Sequence, residues 1–115
     1  MRKLSRTRVI NEPDRKLLLE LKDIVTRHVP DAEIILYGSA ARGARQPDSD
    51  YDVLVLTACQ LSSDELRALD GAVYDLELVR EAVLSMMVYS RDEWSRPLMQ
   101  ASPYRKNVMR EGIVV

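Results

Sequence analysis

The sequence predicts a single domain of the α/β (α+β) class, in which helices pack on a small mixed β-sheet. Its 115 residues match the usual size of one domain. Segments with a helical period of apolar residues alternate with short runs rich in aliphatic residues, which is the pattern of mixed helix and sheet. Apolar residues make up 46% of the chain and charged residues 30%, which is typical of a folded chain and not of a disordered one.

The chain begins with a polar, basic segment. We expect residues 1–10 to be a flexible basic N-terminus and residues 11–115 to form the domain. A helix is predicted over residues 13–29, because Pro13 suits a first helical turn and Pro30 ends the pattern. The apolar residues of this helix fall on one stripe: Leu17, Leu21, Ile24 and Val25.

Two strands are predicted in the middle of the chain, with a short helix between them. Residues 33–37 are rich in strand-forming residues, and Gly38 ends the run. Residues 39–45 are small and fit a short helix, and residues 46–49 have the composition of a turn. Residues 53–56 are all apolar, which predicts a strand buried on both faces.

A longer helix and a third strand come next. Ser62 and Glu65 have the spacing of a capping box at a helix N-terminus. The apolar residues after it recur at helical spacing: Leu66, Leu69, Val73 and Leu76. Residues 83–89 are predicted to be a strand.

The last helix has a signal at each end. Ser102 is its expected N-cap, Pro103 its first turn, and Gly112 ends it. We expect residues 113–115 to add a small edge strand. The predicted order is α, β, short α, β, α, β, α.

Composition narrows the classes of function. Seventeen basic and 18 acidic side chains give a net charge of −1, which does not favour nucleic-acid binding. The basic N-terminus still leaves contact with an RNA or a partner open: Arg2, Lys3, Arg6 and Arg8. One cysteine and one histidine exclude a Cys/His metal cluster. No apolar run reaches about 18 residues, so we expect a cytoplasmic protein without a membrane span.

A glycine and a serine directly follow the first predicted strand. Gly38 permits a tight turn and a close approach to the backbone, and free N–H groups at a helix start attract phosphate. The Ser39 hydroxyl adds a donor, and Arg42 lies about one turn later, where it can neutralise phosphate charge. Arg45 is a second candidate for that role, and Gly43 removes a side chain where the chain turns.

Two aspartates then flank Tyr51. If a strand begins here, Asp50 and Asp52 share one face and lie roughly 7 Å apart along the chain. Two such carboxylates can converge on Mg²⁺, which commonly takes one or two carboxylates plus substrate phosphates. Two metal ions about 4 Å apart would hold both the attacking and the leaving oxygen of a phosphoryl transfer. A Gly-Ser turn or an Asp-x-Asp alone is usually structural, but the two in order between strands indicate a nucleotide and metal site.

These motifs closely resemble the signature of the DNA polymerase beta-like nucleotidyltransferase superfamily. The residues that carry the resemblance are Gly38-Ser39, Arg42-Gly43 and Ser49-Asp50-x-Asp52. The short chain resembles the minimal nucleotidyltransferases, which are single catalytic domains, and residues 104–115 resemble the ending of that group.

The resemblance implies a polymerase beta-like fold, a site and a reaction. Asp50 and Asp52 would be catalytic and would bind Mg²⁺. The implied nucleotide-binding residues are Gly38, Ser39, Arg42, Gly43 and Ser49. The reaction would transfer a nucleoside monophosphate, with AMP from ATP favoured and other bases left open, to a hydroxyl acceptor and release pyrophosphate.

One position departs from the family's pattern. Many active members carry a third carboxylate on a later strand, and Ser85 stands where we expect it. No aspartate or glutamate occurs over residues 82–91, and a serine binds Mg²⁺ weakly. Two functions therefore stay open: a magnesium-dependent nucleotidyltransferase, and a weak or inactive protein of the same fold that neutralises a partner by binding it. A third, an antibiotic-modifying enzyme, is less favoured, because such enzymes usually carry an additional domain for the acceptor.

The resemblance also suggests a partner protein. So short a chain has few residues left to recognise a large acceptor, and a partner would supply that acceptor. Minimal nucleotidyltransferases are often encoded beside small, all-helical HEPN proteins and act as their antitoxins, sometimes by adenylylating the toxin. The expected partners are a nucleoside triphosphate and a small helical HEPN-type protein, and a homodimer stays open.

Overall fold

A computed structural model describes all residues, 1–115, and contains a mixed sheet of five strands in the order β1-β5-β2-β3-β4. The strands are β1 Arg2–Lys3, β2 Glu33–Tyr37, β3 Tyr51–Thr57, β4 Leu84–Ser90 and β5 Ile113–Val114. β2 runs antiparallel to β3 and β5, whereas the β3–β4 and β1–β5 pairs are parallel. The mixed sheet confirms the predicted class. β5, expected at the edge, instead lies between β1 and β2 because the N-terminus supplies the edge strand.

Six helices connect and cover these strands. They are α1 Glu12–His28, α2 Gly38–Ala41, α3 Ser63–Arg80, α4 Arg91–Trp94, α5 Pro97–Gln100 and α6 Pro103–Glu111. The predicted helices α1, α3 and α6 are confirmed. α4 and α5 were not predicted, because a single turn is too short to show helical periodicity. No helix combines the length and the apolar character that crossing a membrane requires.

Side-chain caps explain where the helices begin. Asn11 accepts a hydrogen bond from the backbone of Asp14 at the start of α1, and Ser62 and Glu65 form the predicted capping box of α3. Ser90 and Glu93 form a second capping box, so α4 begins directly after the last residue of β4. Each cap contributes about 1 kcal/mol to helix stability.

The sheet buries apolar side chains on both faces. α1 and α3 cover one face, where Leu36, Val53 and Val55 lie in the larger core cluster. α4 and α6 cover the other face, which forms a smaller cluster: Ile35, Leu54, Leu56, Trp94 and Val108. Residues 53–56 are all buried, as the apolar run predicted, so β3 is a rigid support for the residues at its start.

The first ten residues, for which we expected a flexible segment, pack onto this domain. Arg2–Lys3 pair with β5, and the side chains of Leu4 and Ile10 are buried in the core. The Arg15 guanidinium donates hydrogen bonds to the backbone carbonyls of Leu4 and Thr7. Two apolar side chains and one arginine therefore hold a segment whose composition is otherwise polar.

Candidate functional site

The candidate site begins at the turn from β2 into α2. Gly38 there has a φ of +75°, in the left-handed region that glycine adopts without strain. A Cβ on this residue would collide with the carboxylate of Asp52, whose Cγ lies 3.2 Å from the position of that atom. Glycine is therefore required twice: for the backbone conformation, and for the close approach of Asp52.

The strand register places Asp52 between two neighbours. Tyr37 on β2 and Ser85 on β4 are the residues paired with it, so all three side chains lie on the same face of the sheet. Tyr51 points to the opposite face, where it is buried and its hydroxyl donates to Asp14 Oδ1 at 2.5 Å. Asp50 directly precedes β3 and is exposed.

The charges around Asp52 are mostly negative. Burial is the main cause that raises the pKa of its carboxyl; the charges of Asp50 and Glu111 add to the rise, and that of Arg42 opposes it. No group of three or more His, Cys, Asp or Glu side chains is arranged to hold a metal ion. The pair Asp50 and Asp52 nevertheless fits Mg²⁺, whose remaining ligands are commonly waters and substrate phosphates.

Glu111, at the end of α6, is the site residue that the sequence did not reveal. Its Oε1 accepts the Gly38 N–H at 3.0 Å, its Oε2 pairs with Arg42 Nη1 at 2.9 Å, and only 13% of its side chain is exposed. Burial raises the pKa of Glu111, but the hydrogen bonds from Arg42 and Gly38 outweigh it and lower the pKa overall. This carboxylate thus occupies two donors that were expected to bind phosphate.

The remaining nucleotide-binding candidates differ in their surroundings. Ser39, the second residue of α2, is half-buried, and its hydroxyl makes no hydrogen bond within the protein, so it is free for a ligand. Gly43 has a φ of +72°, and a Cβ there would lie 2.8 Å from the Val9 side chain. The Ser49 hydroxyl accepts the Gln46 N–H at 3.2 Å and so shapes the turn before β3.

Arg45 lies away from this site. Its guanidinium stacks on the ring of Tyr51, 4.0 Å from the centroid, and donates to the Pro47 carbonyl. Because Tyr51 points to the sheet face opposite Asp52, the structure does not bring the Arg45 guanidinium to the face that carries Asp52. The position of the Arg45 side chain is explained by a cation–π contact with the Tyr51 ring.

Ser85 is the β4 neighbour of Asp52 and is exposed. The two nearest upstream glutamates do not replace a carboxylate here. Glu77 accepts the Leu84 N–H at 2.9 Å, and Glu81 ends α3 in a left-handed conformation. No acidic side chain therefore stands beside Asp52 on β4.

Tyrosines border the other side of Asp52. The Tyr104 hydroxyl donates to the Tyr37 hydroxyl at 3.1 Å, and the two rings meet edge to face with centroids 5.5 Å apart. Burial raises the pKa of both phenols. The site is thus bounded by an aromatic wall on β2 and α6 and by the small, exposed Ser85 on β4.

Comparison with known proteins gives the family of this chain and a solved structure of similar fold. Residues 18–115 match the family model of the nucleotidyltransferase domain. A similar solved structure, described as "Crystal structure of the toxin-antitoxin with AMP-PNP", has a TM-score of 0.53 and 21% identity, covering 84% of this chain and 68% of that chain. No curated protein sequence matches. The chain belongs to the nucleotidyltransferase domain family, and its mixed sheet with covering helices is consistent with the polymerase beta-like fold.

Proposed function

We propose that this protein is a magnesium-dependent nucleotidyltransferase that transfers AMP from ATP to a hydroxyl group on a partner protein. The observation that carries the proposal is the packing of Asp52 directly against the Gly38 turn. This contact joins a carboxylate pair suited to Mg²⁺ to backbone and hydroxyl donors suited to phosphate. Family membership supports nucleotidyl transfer as the class of reaction.

The roles of the residues follow from their positions. The free Ser39 hydroxyl and the amides beside it would bind the triphosphate, and Arg42 would neutralise its charge. Asp50 and Asp52 would hold Mg²⁺, which supplies charge neutralisation to the phosphates when bound. The acceptor oxygen forms a bond to the α-phosphorus and gives up its proton to solvent, because no carboxylate stands beside Asp52 on β4 to accept it. The bond from that phosphorus to the bridging oxygen breaks, and pyrophosphate leaves. Catalysis of this type rests on positioning and electrostatic stabilisation.

Glu111 competes with phosphate for two hydrogen-bond donors of the site. A phosphate that takes the Gly38 N–H and Arg42 must displace this carboxylate or share its donors. Two anions at one pair of donors repel each other, so occupation of the site by a triphosphate would turn the Glu111 side chain away.

The partner is part of the same proposal. A similar structure is described as a toxin–antitoxin with an ATP analogue. We extend this to the present chain: a small helical HEPN-type toxin in the cytoplasm would supply the acceptor, and this protein would be the antitoxin.

The alternative is an antitoxin that neutralises its partner by contact, with little or no transfer. Ser85 favours it, because β4 offers no carboxylate beside Asp52. Glu111 does not take that place, since it lies at the Gly38 turn beside β2 and not beside β4.

Transfer of label from α-labelled ATP to a co-purified partner separates the two functions. We expect labelled partner with the wild-type chain and none with Asp50→Asn combined with Asp52→Asn. An unlabelled partner in a complex that still binds ATP would establish the alternative.

Restoring the carboxylate is a second test. Ser85→Asp should raise the rate of transfer, because the new side chain would lie beside Asp52. Val83→Asp adds the same charge at an exposed position just before β4 and should leave the rate unchanged. Equal rates in both variants would show that position 85 takes no part in the reaction.

A further inference from the structure

β4 is an outer strand of the sheet and pairs only with β3. Its seven residues, Leu84–Ser90, include no charged residue and no proline. Natural edge strands are usually protected by such residues, by bulges or by a covering element. Met87, in the middle of β4, is 43% exposed. Within β4 itself, therefore, no side chain protects the free edge against pairing with another strand, and carboxylates from outside the strand reach only its two ends.

The backbone groups on this edge can be accounted for one by one. Near the two ends of β4, the Leu84 N–H donates to the Glu77 carboxylate at 2.9 Å, and the Ser90 N–H donates to the Glu93 carboxylate at 3.0 Å. Alternate residues of a strand direct their N–H and C=O groups to the same side, and the Val83 carbonyl accepts from Tyr51 on β3.

Even-numbered residues of β4 therefore face outward. Two of them, Met86 and Val88, have neither a strand nor a side chain to bond with. Each leaves one N–H and one C=O free on the outer edge.

We propose that two copies of this chain associate through these edges, with β4 antiparallel to β4 and the two-fold axis at Met87. The pattern of free groups is symmetric about that residue: Met86 and Val88 are one position away on either side, and the satisfied N–H groups of Leu84 and Ser90 are three positions away. The edge is therefore its own complement, as a two-fold interface requires.

The register follows from this symmetry. Met86 of one copy faces Val88 of the other, and each such pair exchanges two hydrogen bonds. The two free N–H groups of each copy are then all satisfied. The two Met87 side chains meet at the axis, and β4 itself brings no charged side chain into the ladder. At each end the Glu77 carboxylate of one copy and the Glu93 carboxylate of the other lie opposite each other, which confines the ladder to the Met86 and Val88 pairs. Because the ladder is short, we expect a reversible, concentration-dependent dimer.

The dimer would bring a new residue to the site, a consequence that rests on the proposed function. In the same register, Tyr89 of the second copy faces Ser85, with Cα atoms about 4.5 Å apart. Ser85 is the neighbour of Asp52 on the same sheet face, and it is small and exposed. Tyr89 of the second copy would therefore close the side of the site that Ser85 leaves open.

Sedimentation of the full chain over a range of concentrations tests the dimer. We expect a monomer–dimer equilibrium for the wild type. Met87→Lys sets like charges against each other at the axis and should raise the dissociation constant about tenfold or more. Val79→Lys adds the same charge on α3, where the side chain is 74% exposed, and should change nothing. A wild type that stays monomeric, or equal effects of the two lysines, would overturn the proposal.

Hydrogen exchange gives a readout that does not depend on a substitution. The amides of Met86 and Val88 should become protected as the wild-type concentration rises. Protection that appears only when a different protein is added would assign the edge to a foreign strand and refute the dimer. Magnesium-ATP binding by the wild type is measured separately, because absence of binding would reject the proposed function and leave the sedimentation result standing.

Discussion

Replacing Gly38 by alanine perturbs the contact on which the site depends. The backbone there has a φ of +75°, which costs a residue with a Cβ about 1–3 kcal/mol. The new Cβ would also overlap the Asp52 carboxylate, so the turn or the aspartate must move. We expect the free energy of unfolding to fall by at least this strain. In a domain of this size, each 1 kcal/mol corresponds to roughly 4 °C in melting temperature.

Urea unfolding followed by circular dichroism measures this loss, and calorimetry measures the affinity for magnesium-ATP. Gly71→Ala is the matched control: it lies within α3 with no atom within 4 Å of the added Cβ. Alanine there should stabilise the protein by about 0.5–1 kcal/mol and leave ATP binding unchanged. If Gly38→Ala were as stable as the wild type and bound magnesium-ATP equally well, the close approach of Asp52 would not matter.

Three further predictions concern the residues around the turn. Glu111→Gln should lower the free energy of unfolding by about 1–2 kcal/mol in urea unfolding, because the hydrogen bonds from Gly38 and Arg42 weaken when the side chain loses its charge. A variant as stable as the wild type would contradict these contacts. Since the pKa of Glu111 is lowered from 4.5 in the folded state, its contribution is complete above that pH and is lost as the pH falls through the folded value. The stability difference between wild type and Glu111→Gln should therefore shrink in acid, and a constant difference down to full protonation would show that its charge is irrelevant. Arg42→Ala should weaken ATP binding in calorimetry while Arg45→Ala leaves it unchanged; the reverse order would reject the site described above.

The sequence predicted those parts of the fold that have a repeating pattern. α1, α3 and β3 carry long apolar patterns, and their burial in the structure agrees with them. α4 and α5 are one turn each and leave no period to detect. The N-terminal segment is held by the pairing of Arg2–Lys3 with β5, by two buried side chains and by hydrogen bonds from Arg2 and Arg15. None of these contacts is visible in a composition dominated by charge.

The candidate site likewise contains residues that a local sequence pattern reveals and residues that only the fold brings together. Gly38, Asp50 and Asp52 could be found because their order and spacing are local, and the structure joins Gly38 to Asp52 by direct packing. Glu111 could not be found, since it lies 73 residues from Gly38 along the chain and meets it only through the fold. The stacking of Arg45 on the ring of Tyr51 could not be predicted either, because the loop between the two residues has no repeating pattern that fixes where its side chains point.

Calorimetric titration with ATP in the presence and absence of Mg²⁺ tests the central claim most directly: that the Gly38 turn and the two aspartates form one magnesium-nucleotide site. The wild type should bind ATP with Mg²⁺, and Asp50→Asn with Asp52→Asn should not. A control with Asp31→Asn and Asp75→Asn removes the same charge from exposed positions outside the site and should bind as the wild type does. Equal magnesium-dependent affinity in the wild type and the Asp50/Asp52 variant would contradict the claim.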